Sequence, residues 1–332
     1  MSIKISDVAK AAGVSTATVS RIINEQPGYS EETKQKVLRV IEELGYRPNA
    51  FAQGLMSKRS RTIGILIPEV SSRFSAELLR GIEKVGHERG YSSIVCNTDR
   101  NGERTMEYFR ILSEKQVDGI VFTSEWLKDE YARYVEKMEI PMALVATYSH
   151  AYSFPSVRVD DRVASYSAVR YLVEQGHRSI GMISGTAEDP IAGQPRIEGY
   201  RQALSEAGLT ADEAKIVYGD FHFRSGVRAM QELYQRQTGI TALFAASDEM
   251  ALGAMALLHS RQVRVPEELS IIGYDDTLDA EMSYPALTTV HQPVEEMGEV
   301  VMELLLNGEQ GEERVLQHSI TERDSVVTRS LA

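Results

Sequence analysis

Ile5-Ser-Asp-Val-Ala-Lys-Ala-Ala-Gly-Val-Ser-Thr-Ala-Thr-Val-Ser-Arg-Ile-Ile-Asn24 reads as a helix, a tight turn and a second helix. Ala9, Ala12, Val14, Val19 and Ile22 give the pair a small apolar face. Gly13 falls where the chain must turn sharply, and Ser15 is placed to cap the second helix by accepting a backbone N–H. That helix then offers Thr16, Ala17, Thr18, Ser20, Arg21 and Asn24 outward. Short polar side chains with one arginine suit a helix lying in a DNA major groove. A third helix follows. Ser30 is its expected N-cap, with Thr33 nearby; Val37, Val40, Ile41 and Leu44 recur at helical spacing, and Gly45 closes it. Beyond it, Pro48 interrupts any helix entering from its left. Asn49 is placed to cap a short helix over Ala50–Met56, about two turns, which is too short to be stable alone in water.

From Thr62 the pattern changes. Apolar runs of strand length (Ile63–Ile67, Ser93–Cys96, Gly119–Thr123, Ala143–Ala146, Ile180–Ser184, Ala242–Ala246 and Ser270–Tyr274) alternate with amphipathic stretches such as Glu77–Arg89, Arg104–Glu114 and Ala164–Glu174. That alternation predicts an α/β body with parallel sheets covered by helices on both faces.

The chain has 332 residues, enough for two or three domains, and 42% hydrophobic with 25% charged residues is ordinary for a globular protein. No apolar run approaches the roughly 18 residues that span a bilayer, and the N-terminus lacks the apolar core of a signal peptide. Cys96 is the only cysteine, so no intrachain disulfide is possible, and a cytoplasmic location is expected. The net charge of −12 hides an asymmetry. Of 36 basic and 48 acidic residues, positions 1–61 hold ten and six, a net of +4, leaving 26 and 42, a net of −16, for the rest. A basic head on an acidic body confines nucleic-acid contacts to the head.

Catalytic patterns are missing. The first strand of the body is not followed by a glycine-rich dinucleotide loop or a P-loop, no H-E-x-x-H or C-x-x-C occurs, and no G-x-S-x-G elbow presents a serine. The expectation is no enzyme, no catalytic residue, no metal and no cofactor.

Asp7-Val-Ala-Lys-Ala-Ala-Gly-Val-Ser-Thr-Ala-Thr-Val-Ser-Arg21 with Asn24, followed by Gly45-Tyr46-Arg47-Pro48-Asn49-Ala50, resembles the LacI/GalR family of bacterial transcriptional repressors. Further matches run in order through the body: Asp118-Gly119-Ile120, Gly176-His177-Arg178, Arg196-Ile-Glu-Gly-Tyr200, Ser247-Asp-Glu-Met-Ala-Leu-Gly253, Ile272-Gly-Tyr-Asp-Asp276 and Pro285-Ala-Leu-Thr-Thr-Val-His-Gln-Pro293. The resemblance implies a helix-turn-helix domain over 1–45, a hinge helix over 46–60 and an effector-binding, dimerising body over 61–332. That body is similar to periplasmic sugar-binding proteins. Its two doubly wound subdomains are expected over 61–161 with 291–321, and over 162–290 with 322–332, joined by three crossovers. The ligand is expected in the cleft between them, at the C-terminal ends of strands.

The resemblance also assigns roles. Arg21 is the strongest base-reading candidate, with a phosphate contact as its alternative; Thr16 and Ala17 align with base-reading positions. Ser15, Thr18, Ser20, Asn24 and Thr33 are candidate phosphate contacts or, alternatively, caps and core-edge hydroxyls. Asn49, Ala52 and Leu55 fall in the hinge. Leu55 matches a leucine wedge that kinks DNA from the minor groove, although packing on the body is an alternative. In the body, Arg196 and Asp275 align with effector-binding residues, though either alone could be half of a structural ion pair. Phe221 aligns with a stacking aromatic and Ser247 with a polar ligand contact. Ser72, Phe74 and Trp126 follow first-subdomain strands and are candidates for the opposite wall.

The resulting expectation is a homodimeric repressor of carbohydrate-metabolism genes, bound to a pseudo-palindromic operator and controlled by a small molecule, a sugar. One rival is a catabolite-control regulator whose corepressor is a phosphorylated carrier protein. Gln116-Val-Asp-Gly-Ile-Val-Phe122 and Gly185-Thr-Ala-Glu-Asp-Pro190 resemble that subgroup, but Tyr284 replaces its arginine before Pro285. Another rival is a sugar-binding protein without regulatory role, against which only the head argues.

Overall fold

Three helices open the chain: α1 (Ile5–Ala12), α2 (Thr16–Ile23) and α3 (Glu31–Leu44). A computed structural model describes residues 3–23, 26–46, 59–99 and 102–329. The chain forms two compact units that part between Arg61 and Thr62. The first unit packs the three helices around Val8, Ala9, Ala12, Val19, Ile22 and Val37. Gly13 ends α1 in the left-handed region, at φ 66°, a conformation that carries no Cβ penalty in glycine. The Oγ of Ser15 accepts from Thr18 N at 3.0 Å, and that of Ser30 accepts from Thr33 N at 3.2 Å, so both caps form where the sequence places them.

The second unit holds two six-stranded sheets built on one plan. Its elements in chain order are β1 (Thr62–Ile67), α4 (Arg73–Glu88), β2 (Ser92–Asn97), α5 (Thr105–Glu114), β3 (Gly119–Thr123), α6 (Asp129–Met138), β4 (Met142–Val145), β5 (Ser156–Val159), α7 (Asp161–Glu174), β6 (Ile180–Ser184), α8 (Gly193–Glu206), β7 (Ile216–Tyr218), α9 (Phe223–Gln235), β8 (Ala242–Ala245), α10 (Asp248–Ser260), β9 (Ser270–Asp275), α11 (Leu278–Met282), β10 (Thr288–His291), α12 (Val294–Asn307), β11 (Glu313–Leu316) and β12 (Ser319–Thr321). The first sheet runs β11-β5-β4-β3-β1-β2 and is wholly parallel. The second runs β12-β10-β9-β8-β6-β7, parallel except for the antiparallel edge strand β12.

Continuous apolar runs explain the central strands. All five residues of β3 and of β6 are buried, as expected of parallel strands covered by helices on both faces. The chain passes between sheets three times: from β5 to α7, from β10 to α12, and from β11 to β12. The third passage corrects the expectation that 291–321 belongs wholly to the first subdomain. The crossover is already complete at Ser319, because β12 hydrogen-bonds to β10, and His291 ends β10 in the second sheet.

Candidate DNA-binding face and effector cleft

On α2, Thr16, Ala17 and Arg21 are exposed, while Thr18 and Ser20 are half-buried. Val19 and Ile22 point into the core of the head, which turns the Ala17–Arg21 face outward. The hydroxyls of Ser15 and Thr18 lie 2.9 Å apart, and those of Ser30 and Thr33 2.8 Å apart. Ser15 and Ser30 are thus the caps, and Thr18 and Thr33 the residues that donate to them. Asn24, Asn49, Ala52 and Leu55 lie outside the described residues.

In the body, the C-terminal ends of both sheets face each other across a cleft. Arg196, one turn into α8, is nearly buried, at 7% exposure. Its Nε donates to Asp161 Oδ1 at 2.7 Å, its Nη2 lies 2.7 Å from the same oxygen, and its Nη1 donates to the Ala246 carbonyl. The guanidinium carbon lies over the Tyr274 ring, 3.7 Å from its centroid, and 5.6 Å from that of Phe221. The Tyr274 hydroxyl also donates to Asp161 Oδ1, at 2.8 Å. Burial opposes the Arg196 charge, but Asp161, Tyr274 and Asp275 around it hold its pKa above the ordinary value. Arg196 is thus half of an ion pair and a lining group of the cleft at once.

Asp275 ends β9 with φ 126° and accepts from Gln292 Nε2 at 2.8 Å. Burial pushes its pKa well up, and the neighbouring Asp248 adds to the effect. Asp248 is fully buried. It accepts from Thr277 N at 2.7 Å, Thr277 Oγ1 at 3.0 Å and Thr289 Oγ1 at 2.6 Å, yet burial outweighs these bonds and raises its pKa to about 7. Phe221 sits at φ 66°. Its ring lies against Gly185, where a Cβ would come within 2.0 Å of Cζ, so only glycine allows this close approach. The Ser247 Oγ donates to the Phe221 carbonyl at 2.8 Å and accepts from Met250 N at 3.2 Å as the cap of α10. Its hydrogen is therefore spent on positioning Phe221.

The facing wall is less concentrated. Ser72 caps α4 by accepting from Ser75 N at 3.1 Å, and Phe74 packs half-buried on the main core. Trp126 is 46% exposed in the β3–α6 loop and makes no hydrogen bond or ring contact with Arg196, Phe221 or Asp275. That loop is pinned through Glu125, whose carboxylate accepts from Thr105 Oγ1 at 3.1 Å. A cavity of about 190 Å³ opens at Asp161, lined also by Thr147, Tyr148, Arg158, Arg162, Pro195 and Glu198; Arg196, Phe221 and Asp275 do not line it.

Two polar contacts bridge the subdomains at the cleft mouth. Arg73 donates from Nε and Nη2 to Asp279, at 2.9 and 3.1 Å. The His222 ring sits between Glu69, 3.2 Å from Nε2, and Glu249, 3.3 Å from Nδ1. Sequence reasoning missed Asp161, Tyr274, Gln292 and His222. Tyr274 and Gln292 lie within quoted motifs, whereas Asp161 reads only as one of two acidic residues at a helix start.

Comparison with known proteins adds to this geometry. The model described as "Bacterial regulatory proteins, lacI family" matches residues 4–49, and that described as "Periplasmic binding protein-like domain" matches 169–330. Catabolite control protein A of Priestia megaterium is 40% identical over 330 residues, covering 98% of this chain and 99% of that protein. Among solved structures, a transcriptional regulator CelR–cellobiose complex is similar at 33% identity and TM-score 0.75, covering 97% of this chain and 99% of that one. A lac repressor dimer bound to operator and the anti-inducer ONPF is similar at 27% identity and TM-score 0.89, covering 98% and 100%.

Proposed function

Because the chain belongs to the LacI family of bacterial regulatory proteins, DNA-binding transcriptional regulators with an effector-binding body, we infer that it is a homodimeric repressor whose cleft takes a neutral sugar. The observation that carries the sugar reading is the donor, acceptor and ring set around Arg196. Three of the five guanidinium N–H groups are engaged by Asp161 and Ala246, leaving two for a ligand. Asp275 supplies an acceptor, and Phe221 a flat apolar face. Sugar hydroxyls match such a set because each donates and accepts.

The charge balance favours a neutral ligand. Asp161 already pairs with the Arg196 guanidinium, so a phosphate dianion would find no uncompensated cation there in a poorly solvated site. The CelR structure was solved with cellobiose, which supports the same class. On this reading two heads bind the halves of a pseudo-palindromic operator in the cytoplasm, Arg21 reads a base, and the hinge over 46–60 with Leu55 lies at the centre. The operator controls genes of carbohydrate metabolism.

The likeness to catabolite control protein A favours a second reading, with a phosphorylated carrier protein as corepressor. Tyr284, 99% exposed, counts against it, because it stands where that subgroup has an arginine. A thermal-shift screen of neutral sugars, sugar phosphates and purines separates the effector classes, since a ligand of the native state raises Tm by mass action. A neutral sugar is expected to raise Tm. A shift given only by purines or phosphates overturns the sugar reading.

A further inference from the structure

The geometry points to Asp161 as a residue that reads the effector directly while it holds Arg196 in place, an inference that rests on the sugar-cleft reading above. Its two carboxylate oxygens have different surroundings. Oδ1 accepts from Arg196 Nε at 2.7 Å and from the Tyr274 hydroxyl at 2.8 Å, with Arg196 Nη2 also 2.7 Å away in the ion pair. Oδ2 takes no hydrogen bond from any described residue, and the side chain, 17% exposed, lines the 190 Å³ cavity. A carboxylate accepts at both oxygens, so the loaded Oδ1 fixes the group and leaves Oδ2 to accept a donor from the cavity. The two uncommitted N–H groups of Arg196 lie on the guanidinium that Oδ1 anchors. A ligand that reaches from the cavity past Pro195 to Arg196 meets an acceptor and donors anchored to one another beside the Tyr274 ring, and adjacent sugar hydroxyls satisfy both.

The position in the chain adds a consequence. Asp161 is the first residue of α7, directly after the passage from the first sheet, and its neighbour Asp160 caps that helix by accepting from Arg162 N and Val163 N, both at 3.1 Å. A ligand bond to Asp161 thus falls beside one of the three connections between the subdomains.

The test uses the full-length chain and calorimetry with D-glucose, D-ribose and cellobiose, followed by the monodeoxy analogues of whichever sugar binds. Asp161→Asn keeps the shape and an oxygen for Arg196 and Tyr274, but presents an amide donor in place of Oδ2. It is expected to weaken sugar binding about tenfold or more. The deciding readout is discrimination. The parent should lose about tenfold against one deoxy analogue, and Asp161→Asn should bind that analogue and the sugar equally. A purely structural role would weaken every analogue by the same factor and leave the discrimination intact, which overturns the assignment, as does parental affinity in the variant. Asp161→Ser carries the same comparison if Asp161→Asn fails to fold. Arg196→Ala separates the two levels. If it too retains parental affinity, or if none of the three sugars binds, the sugar-cleft reading fails and takes this inference with it. If Arg196→Ala loses binding and Asp161→Asn does not, only Asp161 is wrong.

Discussion

At the scale of single residues, Asp248 makes the stability of the body depend on pH. Its carboxyl is fully buried and its pKa is raised to about 7 by that burial, against three hydrogen bonds that favour the anion. In the unfolded chain it titrates near about 4. The folded state therefore holds the proton more tightly, and the associated stability is present in full below about pH 4 and lost as pH rises towards 7. Asp275 works in the same direction, while Asp276, held below its ordinary pKa chiefly by Arg323 against burial, works in the opposite one. Asp248→Asn removes the titration. Its urea midpoint should decline less between pH 5 and 7 than the parent's, and an equal decline would remove Asp248 as the cause. On the head, Thr16, Ala17 and Arg21 are exposed on α2, and the proposal that Arg21 reads a base can be tested by mutation. Arg21→Ala is expected to cost roughly 1–3 kcal/mol on the operator and to relax preference at one base position. Site selection checks this; an equal loss on every sequence would make Arg21 a phosphate contact.

At the scale of elements, glycine sets how closely helices approach. Gly199 lies on the face of α8 that packs against α7, and a Cβ there would come within 2.2 Å of the Arg162 carbonyl and 2.8 Å of Tyr166 N. This close approach brings Arg196, one turn earlier on α8, to Asp161 at the start of α7. Gly199→Ala is expected to push the helices apart and cost about 1–3 kcal/mol in urea denaturation, with weaker sugar binding in calorimetry. Full stability would show that the helices yield without strain. The same pair shows how far sequence reasoning reached. The central strands were legible because burial on both faces leaves continuous apolar runs, as in Ile180–Ser184. The helix α7 was expected from Ala164 and begins at Asp161, since its first turn is polar and capped by Asp160. The strands β5, β7, β10, β11 and β12 went unnamed; each has three or four residues and, unlike the equally short β4 and β8, is not buried along its whole length. In the cleft, Arg196, Phe221 and Asp275 were legible through the motifs that contain them. Asp161 was not, because its role depends on Arg196, which lies 35 residues away and meets it only in the packed α7–α8 pair.

At the scale of the whole molecule, charge is partitioned. Residues 1–61 carry a net of +4 and the remainder −16, so the chain's overall −12 says little about its affinity for DNA. An acidic body repels the phosphate backbone at distances up to about a Debye length and confines contact to the basic head. Each phosphate neutralised by a head lysine or arginine releases condensed counterions, and the logarithm of the binding constant falls by about 0.9 per contact for each logarithmic unit of salt. Pairing two heads on a pseudo-palindrome doubles the number of contacts and steepens the slope. Body repulsion is screened by the same salt and works the other way, so the observed slope is the difference between the two. On the proposed binding mode the head dominates, because its charges would touch phosphate while those of the body would not. Operator binding followed by fluorescence anisotropy from about 50 to 200 mM salt is therefore expected to weaken steeply. Arg21→Ala should flatten that slope only if Arg21 contacts phosphate, and should leave it parallel to the parent's if Arg21 reads a base. A flat response in the parent would mean that the basic head is not the electrostatic footprint of DNA binding.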